Sequence, residues 1–335
     1  MKKDALVQVV DRIKNIARFK IENLDGLDSY FVFRGGYLSS FSANLSVNVP
    51  LDVGFDAIVS SEEFFKFVKK CSGDEISMQL VDGEVIVESG KTKAGFKTAS
   101  LFDKIPESTI DDVKTWMKVP DDFADALRFC YFSIIDDESL GVINCAYVKP
   151  DCVVSTDNIR ITEMMFAKKA AKDFSFFIPK KLVIPIVDSG CQKIGIVEGM
   201  VHIKTENGSI ISMNKMIGEY PEDYRKLFAV EGGEMEMPGT MIEAINHVST
   251  IDSGLSDIQL MDVTIQKGEI VCRVSGEKAW AEEKIVYTYK GKPIKFTTSP
   301  VFMKDILPKC RKFTVGDGVI FIKGDNFSHI MSVVI

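Results

Sequence analysis

The sequence predicts an α+β fold made of three tandem copies of one helix-and-strand pattern. First, the stretches FFKFVKKCSGDEISMQLVDGEVIVESG from Phe64, KLVIPIVDSGCQKIGIVEGMVHIKTENG from Lys181 and VFMKDILPKCRKFTVGDGVIFIKGDNF from Val301 run alike. Each has an apolar segment with lysines, a cysteine, a strand, a glycine turn and a second strand. The turn glycines Gly83, Gly199 and Gly318 lie 116 and 119 residues apart, so three periods account for the 335 residues. Second, a further helix pattern precedes each copy, at ALVQVVDRIKNIARF, VPDDFADALRFCYF and MPGTMIEAINHVST. Third, the intervening strands alternate apolar and polar residues around glycine turns, as in EVIVESG and MVHIKTENG. That alternation marks antiparallel sheets with one covered face.

The elements follow in order. In the first helix Leu6, Val9, Val10, Ile13, Ile16 and Ala17 form one apolar stripe, opposite Gln8, Asp11, Arg12, Lys14, Asn15 and Arg18. In the second, Phe64, Phe65, Phe67 and Val68 oppose Lys66, Lys69 and Lys70. Ser60 or Ser61 before Glu62 and Glu63, Pro120 before Asp121 and Asp122, and Ser299 before Pro300 mark helix starts. Pro185 lies inside the pattern Pro179 to Asp188, where it should kink or shorten the helix. Charged connections near Thr109 to Lys118 and Ala229 to Glu236 give three domains, 1–112, 113–230 and 231–335. Each comprises two units of helix plus antiparallel sheet.

Composition excludes several classes. An apolar share of 46% is enough for large cores, so the chain is neither disordered nor fibrous. Runs of about 18 apolar residues are lacking, which excludes a spanning helix, and MKKDALVQVVDRIKN is too charged for a signal peptide. A cytoplasmic protein is expected. The seven cysteines are scattered without a C-x-x-C pair, which argues for buried thiols and against a disulfide framework or zinc. Patterns for a nucleophile elbow, a phosphate loop or a zinc-binding helix are missing, so the expectation is no catalysis, no cofactor and no metal. His202 and His329 fall in strands and His247 near a helix end.

A net charge of -7 argues, taken alone, against nucleic acid. Its distribution points the other way. The six helix windows carry +6 together, which leaves -13 on everything else. Basic helix faces are either ordinary solvated surface or a surface offered to a polyanion, and composition leaves both open. No arginine cluster or aromatic ladder suggests base readout, so DNA contact would be directed to the backbone and indifferent to sequence.

Two segments carry a resemblance: VVSTDNIRITEM at 153–164 and GEYPEDYRKLF at 218–228. Together with the threefold repeat they resemble the bacterial-type DNA polymerase sliding clamp, the polymerase III beta subunit family, along essentially the whole chain. The resemblance implies three tandem DNA-clamp domains and a head-to-tail homodimer closing a ring around double-stranded DNA. It also implies tethering of DNA polymerase and docking of a clamp loader through a hydrophobic cleft. Residues implied at the DNA are Arg12, Lys14, Arg18, Lys66, Lys69, Lys70 and Lys304. Those implied at the cleft are Ile143, Thr156, Asn158, Ile159, Arg160 and Ile161, then Pro221, Lys226 and Leu227, and Val333, Val334 and Ile335 at the C-terminus. Asn158 and Ile159 stand where the family has glycine and histidine, and the linker is one residue longer around Glu222. The closing SVVI lacks the family's Met-Pro tail. The implied cleft therefore has altered specificity, which would suit a phage or mobile-element member. The competing reading is a β-rich repetitive scaffold or virion protein with no DNA role.

Overall fold

The computed structural model describes residues 1–17, 26–42, 44–197, 199–251 and 259–335. Among these residues one module recurs six times: a short strand, a helix, and three antiparallel strands joined by turns. The first has α1 (Lys3–Ala17), β1 (Tyr30–Arg34), β2 (Tyr37–Ser42) and β3 (Leu45–Pro50), its short strand reduced to a bridge between Lys2 and Glu75. The second has β4 (Ala57–Ser60), α2 (Ser61–Lys70), β5 (Ser77–Val81), β6 (Glu84–Ser89) and β7 (Thr92–Lys97). The third has β8 (Met117–Lys118), α3 (Phe123–Cys130), β9 (Cys145–Val148), β10 (Cys152–Thr156) and β11 (Arg160–Met165). The fourth has β12 (Phe176–Pro179), α4 (Lys180–Asp188), β13 (Cys191–Val197), β14 (Met200–Thr205) and β15 (Ile210–Asn214). The fifth has β16 (Gly233–Glu236), α5 (Met241–Val248), β17 (Met261–Gln266), β18 (Gly268–Ser275) and β19 (Trp280–Tyr287). The sixth has β20 (Ile294–Thr298), α6 (Pro300–Ile306), β21 (Lys312–Val315), β22 (Val319–Lys323) and β23 (Phe327–Ser332). The expected α+β class with antiparallel sheets is the observed one. Among the described residues no helix is long and apolar enough to cross a membrane.

The chain forms two compact units, each discontinuous in sequence. The first comprises Met1–Arg128 and Lys168–Ile217, the second Phe129–Ala167 and Gly218–Ile335. In the first unit one sheet runs β4-β1-β2-β3-β15-β14-β13-β8 and a smaller one β5-β6-β7. The larger sheet is two half-sheets stitched together where β3 meets β15, with Leu45 opposite Met213 and Asn48 opposite Ile210. In the second unit the order is β9-β10-β11-β23-β22-β21-β16, stitched where β11 meets β23, and a separate sheet runs β20-β17-β18-β19.

Helix stripes become cores as the periodicity requires. Leu6, Val10 and Ile13 of α1 and Phe64 and Val68 of α2 are fully buried. Phe64 meets Phe31, Phe33 and Phe96 with ring centres 6.2, 5.5 and 5.4 Å apart. Such a side chain contributes about 3 kcal/mol of burial. In the second unit Met241 and Ile245 of α5 and Met303 and Ile306 of α6 close on Val263, Ile265, Ile270 and Phe296. All seven cysteines are free thiols, five of them buried.

One helix departs from expectation. α4 runs through Pro185 to Asp188 rather than stopping short of it. Leu182, Val183, Pro185, Ile186 and Val187 are all buried, and packing on that scale outweighs one missing backbone hydrogen bond. In the connection before β8, the Thr109 hydroxyl sits 3.0 Å from His202 Nε2, and His202 Nδ1 lies 2.8 Å from the Ser212 hydroxyl. Burial lowers the pKa of His202, against the opposing pull of Asp112.

Candidate peptide cleft and basic helix faces

The turn joining β10 to β11 is built from its own side chains. Asp157 Oδ1 accepts from the backbone N–H of Ile159 at 3.1 Å and of Arg160 at 2.9 Å. The Thr156 hydroxyl donates to the Arg160 carbonyl at 2.8 Å and accepts from the Asn158 N–H at 3.0 Å. This geometry holds Asn158 at φ +68°, the left-handed region that glycine visits freely and that asparagine and aspartate tolerate better than other residues. Ile159 is thereby pushed outward, 37% exposed. Arg160 turns inward and is buried. Its Nε donates to Asp157 Oδ2 at 2.8 Å, one Nη to Asp305 Oδ2 on α6 at 2.7 Å, and the other Nη to the Phe132 carbonyl. Its guanidinium lies 4.1 Å from the centre of the Phe302 ring.

Facing this turn is the short 3-10 helical segment Glu222–Phe228. Gly218 begins the approach because a Cβ there would stand 2.5 Å from Val142 Cγ1. The aromatic residues that make the segment unusual pack in series: Tyr147 to Tyr220 at 5.3 Å, Tyr220 to Tyr224 at 6.1 Å, Tyr224 to Phe228 at 5.9 Å, and Phe228 stacked on Phe321 at 5.7 Å. Burial pushes the Tyr224 phenol well above its ordinary pKa, and its hydrogen bond to Glu163 acts in the same direction. A cavity of about 630 Å³ opens between turn and segment. Ile159, Ile161, Pro221, Leu227, Val319 and Ile330 give it apolar walls, Tyr220 and Tyr224 aromatic ones, and Thr156, Asn158, Asp223 and Ser332 its polar points. Apolar walls with a few fixed polar groups suit a short extended peptide.

The basic faces lie on other elements. Lys14 Nζ sits 3.8 Å and Lys69 Nζ 4.4 Å from the centre of the Phe65 ring, so α1 and α2 share one cationic patch. Burial, reinforced by Lys66 and Lys69 and opposed by Glu62, lowers the pKa of Lys14. Lys69 pairs with Asp11 at 3.0 Å and Lys66 with Glu62 at 2.5 Å. Lys70 is exposed, while Arg12 and, on α6 of the second unit, Lys304 are half-buried. Arg18 lies outside the described residues.

At the level of sequence, no family model and no curated protein matches. Solved structures match throughout. The polymerase III beta subunit of Caulobacter crescentus superposes with a TM-score of 0.83 at 13% identity, covering 100% of this chain and 99% of that one. The beta subunit of Streptococcus pyogenes DNA polymerase gives 0.85 at 13% identity, covering 100% and 98%. The polymerase III beta sliding clamp of Bartonella birtlesii, solved with griselimycin, gives 0.85 at 16% identity with the same coverage. The chain has the sliding-clamp fold.

Within this clamp fold, the residues expected at the cleft divide. Thr156, Asn158, Ile159, Ile161, Pro221 and Leu227 line the cavity. Arg160 lies beneath the turn, and Lys226 pairs with Asp223 at 2.6 Å on the exposed side. Ile143 lies in the turn ahead of β9, outside the lining. Val333 is buried, its N–H donating 2.9 Å to the Gly318 carbonyl, whereas Val334 and Ile335 are 69% and 67% exposed and also outside the lining. Tyr220, Asp223, Tyr224, Val319, Ile330 and Ser332 complete the clamp cavity. The first three stand in the segment already singled out in the sequence. Val319, Ile330 and Ser332 come from β22 and β23, and only the pairing of β23 with β11 brings them there.

Proposed function

We propose that this protein is a DNA polymerase processivity factor, a ring that encircles duplex DNA without sequence specificity and holds polymerase to it. The observation that carries the reading is the end-to-end match of the six-module chain to clamp structures. In this reading the domains are 1–112, 113–230 and 231–335, and the protein acts in the cytoplasm without catalysing a reaction.

The sheet edges support a head-to-tail homodimer. Both internal stitches join the last strand of one module to the last strand of another, β3 to β15 and β11 to β23. Two last strands remain at sheet edges, β7 and β19. Setting β19 of one copy beside β7 of a second completes a third stitch of the same kind. Charge favours it, since Lys91, Lys93 and Lys97 lie on or beside β7 and Glu282 and Glu283 on β19. A heterologous contact of this kind gives a closed ring when the rotation between copies returns to its start.

A ring held by topology needs no tight DNA contact. Arg12, Lys14, Arg18, Lys66, Lys69, Lys70 and Lys304 would supply weak, salt-sensitive attraction to phosphates, exchanging fast enough for the duplex to slide. The cavity between the 156–161 turn and the 220–227 segment would take a short apolar peptide from the polymerase or the clamp loader, a mode that lets partners exchange on few anchors. The test is retention. After loading onto nicked circular DNA with a bacterial clamp loader and ATP, the protein should remain bound and should run off once the circle is cut. Native mass should show two copies. A scaffold protein would show no dependence on DNA topology.

A further inference from the structure

The segment Glu222–Phe228 forms one whole wall of the cavity yet belongs to none of the described sheets. Side chains hold it instead, and they converge on one buried carboxylate. Glu163 of β11 is 5% exposed. Its Oε1 accepts from the Tyr224 hydroxyl and, at 2.6 Å, from Arg225 Nε, and the Cys152 thiol lies 3.5 Å away. The far end of the same guanidinium reaches Asp151 Oδ2 at 3.2 Å and Cys152 Sγ at 3.3 Å. Tyr224 lines the cavity, whereas Glu163 and Arg225 do not.

We propose that Glu163 is a positioning residue for peptide binding: from the sheet face it shares with Ile161 it fixes Tyr224 and Arg225, and so sets the width of the cleft before any peptide arrives. This rests on the peptide-cleft reading above. A carboxylate accepting from a phenol and a guanidinium at once makes charge-assisted bonds with fixed directions. Glutamine has the same shape and can keep that oxygen, but it gives up the charge, so it holds both donors less firmly. Without that anchor the wall keeps its ring contacts and the longer reach of Arg225 to Asp151 but loses the bond that fixes Tyr224, and ordering it becomes a cost met on binding.

The experiment compares wild type, Glu163→Gln, Arg225→Gln and the double variant in two measurements. Binding of a fluorescein-labelled pentapeptide rich in leucine and phenylalanine is followed by anisotropy, and amide exchange over 220–228 is followed without peptide. Each single variant should bind roughly tenfold more weakly, and the double variant little more weakly than either, because both act through one contact. Exchange over 220–228 should rise in all three while β17–β20 stays protected, showing that the unit remains folded. Wild-type affinity in Glu163→Gln would overturn the proposal, as would additive losses or weakened binding with unchanged exchange over 220–228. A wild-type protein that ignores the peptide would sink the cleft reading itself, and exchange would still decide whether Glu163 holds the wall.

Discussion

Acidification from pH 7 to pH 5 should destabilise the second unit through His329. The ring is fully buried on β23. Nδ1 lies 2.8 Å from the Thr162 hydroxyl, Nε2 meets no hydrogen-bond partner among the described residues, and burial together with nearby Arg160 lowers the pKa from 6.5 to about 3. The unfolded chain takes up this proton near pH 6.5, whereas the folded chain refuses it until about pH 3. Stability from this group is therefore complete above pH 6.5 and falls as pH drops through that window. Far enough below 6.5 the slope is that of one proton per molecule, and over pH 7 to 5 the loss integrates to about 2 kcal/mol. Urea unfolding of wild type and His329→Phe at both pH values isolates the effect, since every other titrating group, His202 included, is common to both. Phenylalanine keeps the contact with Phe132, whose ring centre is 5.6 Å from that of His329, and Thr162 retains its bond to Ser133. The variant should lose about 2 kcal/mol less than wild type on acidification. Parallel behaviour within about 0.5 kcal/mol would refute the reasoning.

Four further outcomes are expected. Phe64→Ala should cost about 3 to 5 kcal/mol in chemical denaturation, because three rings lose their common partner. At Asn158, glycine should be tolerated, while valine should lower stability by about 1 to 2 kcal/mol and widen the turn, seen as weaker peptide binding. Replacing Lys14, Lys66 and Lys69 together by alanine should reduce the slope of log affinity against log salt on linear duplex DNA by up to about 2.7. Reversing Glu282 and Glu283 to lysine should raise the dimer dissociation constant about tenfold or more in sedimentation, and adding Lys91→Glu with Lys93→Glu should bring it back.

What could be read from the sequence follows physical range. Helix stripes such as Leu6, Val10 and Ile13 are local, so their faces were legible, and so was the repeat that places Gly83, Gly199 and Gly318 in equivalent turns. The segment at 218–228 announced itself by composition, and its tyrosines do pack as a series. What stayed hidden is long-range pairing. Nothing near Val47 says that Ile211 lies opposite, or that Ile330 comes to lie beside Ile161. The part of the cavity lining formed by Val319, Ile330 and Ser332, and the two stitched sheets, depend on such pairings. Arg160 shows a different limit: the motif marks it, but its inward turn toward Asp305 depends on a helix 145 residues away. Pro185 shows a third, since local stiffness yields to a buried face.

Pairing β19 of one copy with β7 of the next, as proposed above, gives the assembly a direction, and direction has a cost beyond pairing. Each added copy extends the same arrow, so the number that assembles depends on the angle turned per copy rather than on how strongly neighbours adhere. In that proposed assembly a small change in sheet twist near β7 or β19 would leave the contact intact and yield an open spiral filament in place of the proposed closed pair.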